Sequence, residues 1–390
     1  MRSSTIDKEI KSEREELKRA KRERKNGKKE DKEKYTTGNK VKIVFTHLFR
    51  LGIIGIIAVL VLLYGPYNGF RDWLVTTAMT TMTHQYFATW FYDEEVINSV
   101  LGKNKVVESN ETTDISQIDT DDNKTTEYAN EYERQILERD EKNNDYKIIN
   151  IAGKGYSGYL VAVYDPSRVK TVVTSKLGVT GQYVTTMARN NDALIAINGG
   201  GFNDPNFNST GGSPLGITVV NGKYVTSDSY KGAGGIIGFT EDDKFVLGKM
   251  TITEAKKMKI RDAVTFGPFL IVNGKSSEVL GNGGWGTAPR TAIGQRKDGI
   301  VLFLVLDGRT ATKPGADMDD LIEVMERYGA YNAANLDGGT SSVLVVGDTI
   351  VNDPIDSTGA HKTRPISTAF IVTKDESDDS DHSVVANKLK

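Results

Sequence analysis

Three patterns of apolar and polar positions follow one another along the chain. Residues 2–34 are dominated by Lys, Arg, Glu and small polar side chains. Such a segment cannot bury enough surface to offset the entropy of ordering it. It reads as a solvated arm, with Glu/Lys pairs able to support a transient helix. The second pattern is Ile43–Tyr64, IVFTHLFRLGIIGIIAVLVLLY, apolar all round a helix. Leu51–Phe70 holds 20 residues without a charge, and a helix of that length spans about 30 Å, the hydrocarbon thickness of a bilayer. Arg50 can snorkel to one interface, while Pro66 and Tyr67 suit the other. Nothing amphipathic flanks the run, as it would in a buried core helix. No A-x-A site follows it, and the charged lead is longer than a signal peptide's. The run is read as an uncleaved signal anchor.

The third pattern starts near Tyr146. Short β-rich runs recur: KIINI (147–151), GYLVAVY (158–164), VKTVVT (169–174), ALIAIN (193–198), GITVV (216–220), GIIGF (235–239), FLIVN (269–273), RTAIGQ (290–295), IVLFLVL (300–306), SVLVV (342–346) and ISTAFIV (366–372). Asn221-Gly222 and Asn273-Gly274 predict tight hairpins, and Lys297-Asp298-Gly299 a longer one. Helices are expected in the domain at 180–190, 252–258 and 316–328, and a short one before it around Glu127–Arg139. The 316–328 helix carries Met318, Leu321, Ile322 and Met325 on one side and stops at Gly329. Few helices and many hairpins predict an α+β fold: a mixed, largely antiparallel sheet domain preceded by one transmembrane helix. Between span and domain, Met79, Met82, Tyr86 and Trp90 share one helical face, which would pack on the membrane interface or on the domain. The expected organisation is a charged cytoplasmic arm (1–42), the anchor (43–66), a juxtamembrane helix (67–101), an acidic linker (102–145), the sheet domain (146–373) and an acidic disordered tail (374–390).

Charge sets the orientation. Residues 1–50 hold 17 Lys/Arg against 9 Asp/Glu, and the other 340 residues hold 33 against 43. The positive lead places the N-terminus in the cytoplasm and the C-terminal domain outside it. An acidic body argues against nucleic acid as a partner, because phosphate backbones want a basic surface. The arm is basic, but its bases are interleaved with acids and lack aromatic residues. The chain has no cysteine, so disulfides, thiolate catalysis and Cys-ligated metals are excluded. Of its four histidines only His361 lies in the domain, and there is no G-x-S-x-G elbow or G-x-x-x-x-G-K-[ST] loop.

What remains is a set of polar and glycine clusters where apolar strands end. ALIAI runs into Asn198-Gly199-Gly200-Gly201-Phe202, and IVLFLVL into Asp307-Gly308-Arg309. Asn335-Leu336-Asp337-Gly338-Gly339-Thr340-Ser341-Ser342 forms a third cluster. Arg290 opens a strand after Pro289, and Arg364 precedes the last strand. Each could be only a turn or an ion pair. Three such ends with three arginines and two aspartates point instead to one shared anion site.

These residues resemble the phosphodiester glycosidase family, that of the lysosomal "uncovering" enzyme and of bacterial exopolysaccharide-related proteins. The resemblance rests on Asn198-Gly199-Gly200, P-R-T-A-I-G (289–294), D-G-R (307–309), N-L-D-G-G-T-S-S (335–342) and Arg364, and covers about 146–373. Where the family often shows N-G-G-F-F, Gly201 here precedes Phe202 and Asn203 replaces the second aromatic. Membership implies hydrolysis of a sugar-1-phosphodiester between sugar and phosphate oxygen. Asp337 and Asp307 are then the functional carboxylates. Arg290, Arg309 and Arg364 contact phosphate. Asn198 and Asn335 bind sugar hydroxyls or orient the carboxylates, Gly199, Gly200, Gly338 and Gly339 allow close backbone approach, and Thr340 and Ser341 complete the substrate contacts. No cofactor is required by the sequence, and a divalent cation is compatible with it. The expected partners are a sugar-1-phosphodiester or cell-surface glycan, and the bilayer through one helix. Two rival functions are a glycan-binding or exopolysaccharide-assembly module without turnover, and a metal-dependent phosphodiesterase using Asp307, Asp337 and Asp204.

Overall fold

A computed structural model describes residues 3–33, 37–80, 85–121, 127–139, 143–203 and 210–374. The chain divides into two compact units, Met1–Arg71 and Asp72–Lys390. The first contains α1 (Ser3–Glu33) and α2 (Thr37–Tyr64). Within α2, Val41–Tyr64 has a mean hydropathy of 2.3 and is long and apolar enough to cross a membrane. The predicted juxtamembrane helix is broken into α3 (Asn68–Thr80), α4 (Tyr86–Thr89) and α5 (Glu94–Lys103). Asp93 starts α5 by accepting a hydrogen bond from the Val96 N–H, which ends the preceding segment. Met82, Asp204 and the tail 375–390 lie outside the described residues.

The second unit is built on three main sheets. A seven-stranded sheet has the order β12 (Lys275–Ser276), β11 (Phe269–Val272), β16 (Ala330–Asn335), β14 (Arg290–Arg296), β15 (Val301–Asp307), β3 (Tyr156–Val163), β2 (Tyr146–Gly153). A five-stranded sheet runs β18 (Thr349–Ile350), β17 (Leu344–Val346), β5 (Ala193–Asn198), β19 (Thr368–Thr373), β4 (Val169–Val173). A third runs β7 (Lys223–Ser227), β6 (Ile217–Val220), β10 (Ile260–Phe266), β8 (Gly235–Thr240), β9 (Phe245–Gly248). Every ladder among the described strands is antiparallel. The domain is α+β, as the hairpin pattern predicts.

The main core lies where the sheets face one another. Phe303 and Val305 of β15, Ile195 and Ile197 of β5, Phe370 of β19 and Phe239 of β8 are fully buried there. Each such side chain stabilises the fold by about 1.5–3 kcal/mol. The opposite face of the seven-stranded sheet, with Leu302 and Leu304, is covered by α9 (Met318–Arg327). The other two sheets are backed by α7 (Val184–Asn190) and α8 (Ile252–Lys257). Burial on both faces explains why β15 reads as a continuous apolar run.

Residues 102–145 are not a free linker over their described parts. Residues 105–107 form β1, which pairs with β13 (Glu278–Leu280). The Phe269 N–H donates to Glu108, and the Leu247 N–H to Thr113. Ile118 and Ile136 are buried, the latter in α6 (Glu131–Leu137), and the Tyr164 hydroxyl donates to the Ile136 carbonyl at 2.9 Å. Acidity hid this strap because its anchors are single residues far apart in the chain.

Candidate active site

Strand pairing brings the polar clusters together. β14 lies between β15 and β16, and β5 lies between β17 and β19. Beyond β16 the chain turns through Asp337–Ser341, and this turn is the hub of the site. The three arginines approach it from different elements. Arg364 donates from Nε to Ser341 Oγ at 2.8 Å and from Nη2 to Asp337 Oδ2 at 3.0 Å. Arg309 donates from Nη1 to Thr340 Oγ1 and to the Ile355 carbonyl, both at 2.8 Å. Its Nη2 lies 2.8 Å from where a Cβ on Gly339 would stand. Arg290 donates from Nε to the Ala316 carbonyl and from Nη2 to those of Trp285 and Gly286. Its Nη1 faces Gly338, 3.6 Å from a Cβ placed there.

The electrostatics suit an anion. Among the described residues neither Arg290 nor Arg309 forms an ion pair. Burial pushes the Arg290 guanidinium down to about 10; Asp317 opposes the shift and Arg309 adds to it. Burial, and then Arg364, lower that of Arg309. Three cations thus line one turn, two of them desolvated and repelled by a neighbour. Placing such charges without carboxylate partners costs several kcal/mol each, which an incoming phosphate can offset. The half-exposed Gly338 and Thr340 N–H groups have no backbone acceptor among the described residues and are open to a ligand.

Asp337 is held on three sides. Its N–H donates to the Gly199 carbonyl at 3.2 Å, its carbonyl accepts from Asn198 Nδ2 at 2.5 Å, and its Oδ2 pairs with Arg364. Oδ1 carries no hydrogen bond from the described residues. Asn198 is fully buried, and its Oδ1 accepts from Thr291 Oγ1 and the Val343 N–H. Its amide is therefore committed to positioning Asp337. Gly199 and Gly200 donate to the Thr368 carbonyl and Oγ1, and side chains there would collide with Thr368 and Thr265. The N–H groups of these two glycines are thus committed to the neighbouring strand. Asn335 donates to the Gly267 carbonyl, its own N–H to that of Pro268, and its Oδ1 is buried without a partner among the described residues.

Asp307 sits apart from this cluster. Its Oδ1 accepts from Asn352 Nδ2 at 2.8 Å and from the Asp353 N–H at 3.1 Å. Asn352 also donates to the Ser342 carbonyl, which ties Asp307 to the end of the 337–342 segment. Burial raises the Asp307 carboxyl above the usual aspartate range, against the lowering effect of both hydrogen bonds. Sequence reasoning missed Asn352, a lone turn asparagine with no motif around it. It also left Phe202 unassigned, although N-G-G-G-F marks it: the Arg364 guanidinium lies 4.6 Å from the centre of its ring. Among the described residues no group of three His, Asp or Glu side chains is arranged to hold a metal.

Residues 191–373 match the phosphodiester glycosidase family model. Over this segment the chain is similar to phosphodiester glycosidase domains. The matched family region starts just after α7, but β2–β4 precede it and are integral, since β3 pairs with every residue of β15. The chain is 27% identical over 203 residues to the SPbeta prophage-derived uncharacterized protein YomE of Bacillus subtilis (strain 168), covering 50% of this chain and 30% of that protein. It is 25% identical over 238 residues to N-acetylglucosamine-1-phosphodiester alpha-N-acetylglucosaminidase of mouse, covering 54% and 43%. The chain thus spans less than half the length of these curated relatives. The zebrafish N-acetylglucosamine-1-phosphodiester alpha-N-acetylglucosaminidase catalytic domain, auto-inhibited by its pro-peptide, has the same fold: TM-score 0.50, 22% identity, covering 59% of this chain and 82% of that one.

Proposed function

We propose that this protein is a membrane-anchored, extracytoplasmic hydrolase. It would cleave a sugar-1-phosphodiester at the sugar carbon–oxygen bond, on a cell-surface polysaccharide. The observation that carries this reading is the turn Asp337–Ser341, with buried Arg290 and half-buried Arg309, neither in an ion pair among the described residues, and a carboxylate clamped by Arg364. The apolar helix and the positive lead before it support the anchoring and orientation.

In this reading the phosphate seats against Arg309 Nη2, Arg290 Nη1 and the Gly338 and Thr340 N–H groups. Asp337 Oδ1 faces the anomeric carbon. The C–O bond breaks with its electron pair leaving on the phosphate oxygen, as a phosphomonoester. Water supplies hydroxyl to the sugar carbon, either directly with Asp337 taking its proton or after Asp337 has bonded to that carbon. The leaving phosphate is a weak base, so charge stabilisation by the arginines matters more than proton donation. Asp307, kept protonated to higher pH by its burial, would act in this reading by holding the end of the 337–342 segment through Asn352.

The sugar named for the mouse relative, N-acetylglucosamine, is the first substrate to try. The full chain is incubated with N-acetylglucosamine-1-phosphodiesters and free reducing sugar is measured, with and without chelator. Sugar release that survives chelation and is lost in Asp337→Asn supports the proposal. Glycan binding without release would instead make the protein a binding or assembly module, and loss of activity in chelator would favour a metal-dependent phosphodiesterase.

A further inference from the structure

A cavity of about 530 Å³ opens on the sheet β7-β6-β10-β8-β9, and its lining shares no residue with the arginine turn. Its size falls within the roughly 300–1,000 Å³ usual for ligand sites. Its floor is Ile217, Ile236 and Thr265, from three adjacent strands. One wall is the loop after β7, with Asp228, Ser229 and Tyr230; the other is the turn after β9, with Lys249 and Thr251.

The lining mixes polar and apolar surface and is nearly charge-balanced. Lys249 lies 3.3 Å from Glu108 of the strap, and Asp228 and Lys231, of opposite charge, both line the cavity. Tyr230 donates its hydroxyl to the Ala233 carbonyl, and burial pushes its phenol up to about 12, so it stays neutral. Serine and threonine hydroxyls and a carboxylate beside apolar side chains, with little net charge, fit a neutral hydroxyl-rich chain better than an anion or a lipid tail.

The cavity is also joined to the arginine site through the backbone. The Leu215 N–H donates to the Gly201 carbonyl, and the Asp228 N–H to the Gly216 carbonyl. Thr265 lines the cavity, while its carbonyl accepts from the Gly201 N–H. The rim of the cavity and the Asn198–Gly201 turn are thus held by one continuous ladder.

We infer that this cavity is a subsite for a neutral glycan chain carried by the phosphodiester, so that the preferred substrate is an oligosaccharide or polymer rather than a small diester. The inference rests on the hydrolase reading above. It is tested on the full chain with N-acetylglucosamine-1-phosphodiesters whose alcohol is methanol, maltotetraose or chitotetraose. Two exposed loop positions are varied: Ser229→Trp fills the cavity, and Asp228→Ala removes a polar group without filling it. The wild type should favour at least one tetrasaccharide diester over the methyl diester by about tenfold or more in kcat/KM, and that ratio should fall toward one in both variants. A wild-type ratio near one, or variants that keep the wild-type ratio, overturns the inference. If the wild type releases no sugar from any diester, the hydrolase reading fails, and calorimetry with free maltotetraose and chitotetraose decides the cavity. Binding that Ser229→Trp abolishes supports it; no binding, or equal binding in the variant, overturns it.

Discussion

Replacing Arg309 with glutamine separates binding of phosphate from stability of the fold. Arg309 makes two hydrogen bonds, to Thr340 Oγ1 and the Ile355 carbonyl, and no ion pair among the described residues. Hydrogen bonds from a charged donor contribute about 1.5–3 kcal/mol each, while holding a desolvated cation costs several kcal/mol. The two nearly cancel in the empty protein, so Arg309→Gln should change the unfolding free energy by no more than about 1–2 kcal/mol. With phosphate bound the cancellation ends. Losing one preorganised donor should lower kcat/KM by about 10²–10³, or about 2.7–4 kcal/mol of transition-state stabilisation. Inorganic phosphate at about 100 times its Kd should stabilise the wild type by about 2.7 kcal/mol, and this should largely vanish in the variant. The assays are sugar release and thermal unfolding with and without phosphate. Wild-type turnover in the variant, or equal stabilisation of both proteins by phosphate, would refute the assignment.

Gly339 has φ 63° and lies against the Arg309 guanidinium. Gly339→Ala should cost about 1–2 kcal/mol from the left-handed backbone, and should reduce turnover further by displacing Arg309; a variant with wild-type kcat/KM would contradict this. Asp307 has a folded-state pKa raised by burial, so ionising it opposes folding. The wild type should lose stability relative to Asp307→Asn as pH rises from the ordinary aspartate range through that elevated value, and the two should converge below it. Parallel stability–pH curves across this window would show that Asp307 is not perturbed. Ile136 is fully buried in the strap, and Ile136→Ala should destabilise the domain by about 2–5 kcal/mol in denaturant unfolding. A loss under about 1 kcal/mol would mean that the strap is only loosely attached.

The elements legible in the sequence are those whose side chains face one kind of surroundings throughout. β14 and β15 are buried on both faces and read as strands, and Asn221-Gly222 and Asn273-Gly274 do form hairpin turns. β10 escaped because Arg261 and Asp262 interrupt it. Inside the fold Arg261 donates to the Ser167 and Val169 carbonyls, and Asp262 accepts from the Thr171 and Asn221 N–H groups. Besides their mutual ion pair, long-range partners make those charges tolerable, and a local pattern cannot show them. β16, AYNAAN, escaped because its side chains are small or polar.

In the site, the gathering of Arg290, Arg309 and Arg364 about Asp337–Ser341 was legible from glycines and charges at strand ends. The role of Gly199 and Gly200 was not. Their amides go to Thr368, so whether a glycine bares its N–H to ligand or lets two strands touch is decided by the opposite strand. Asn352, which clamps Asp307, is likewise invisible without the tertiary contact.

The central claim concerns which bond breaks. Hydrolysis of an N-acetylglucosamine-1-phosphodiester in oxygen-18 water, with mass analysis of both products, reads this directly. Label in the released sugar and none in the phosphomonoester is the predicted result. Label in the phosphate would mean attack at phosphorus and would contradict the placement of Asp337 against the anomeric carbon.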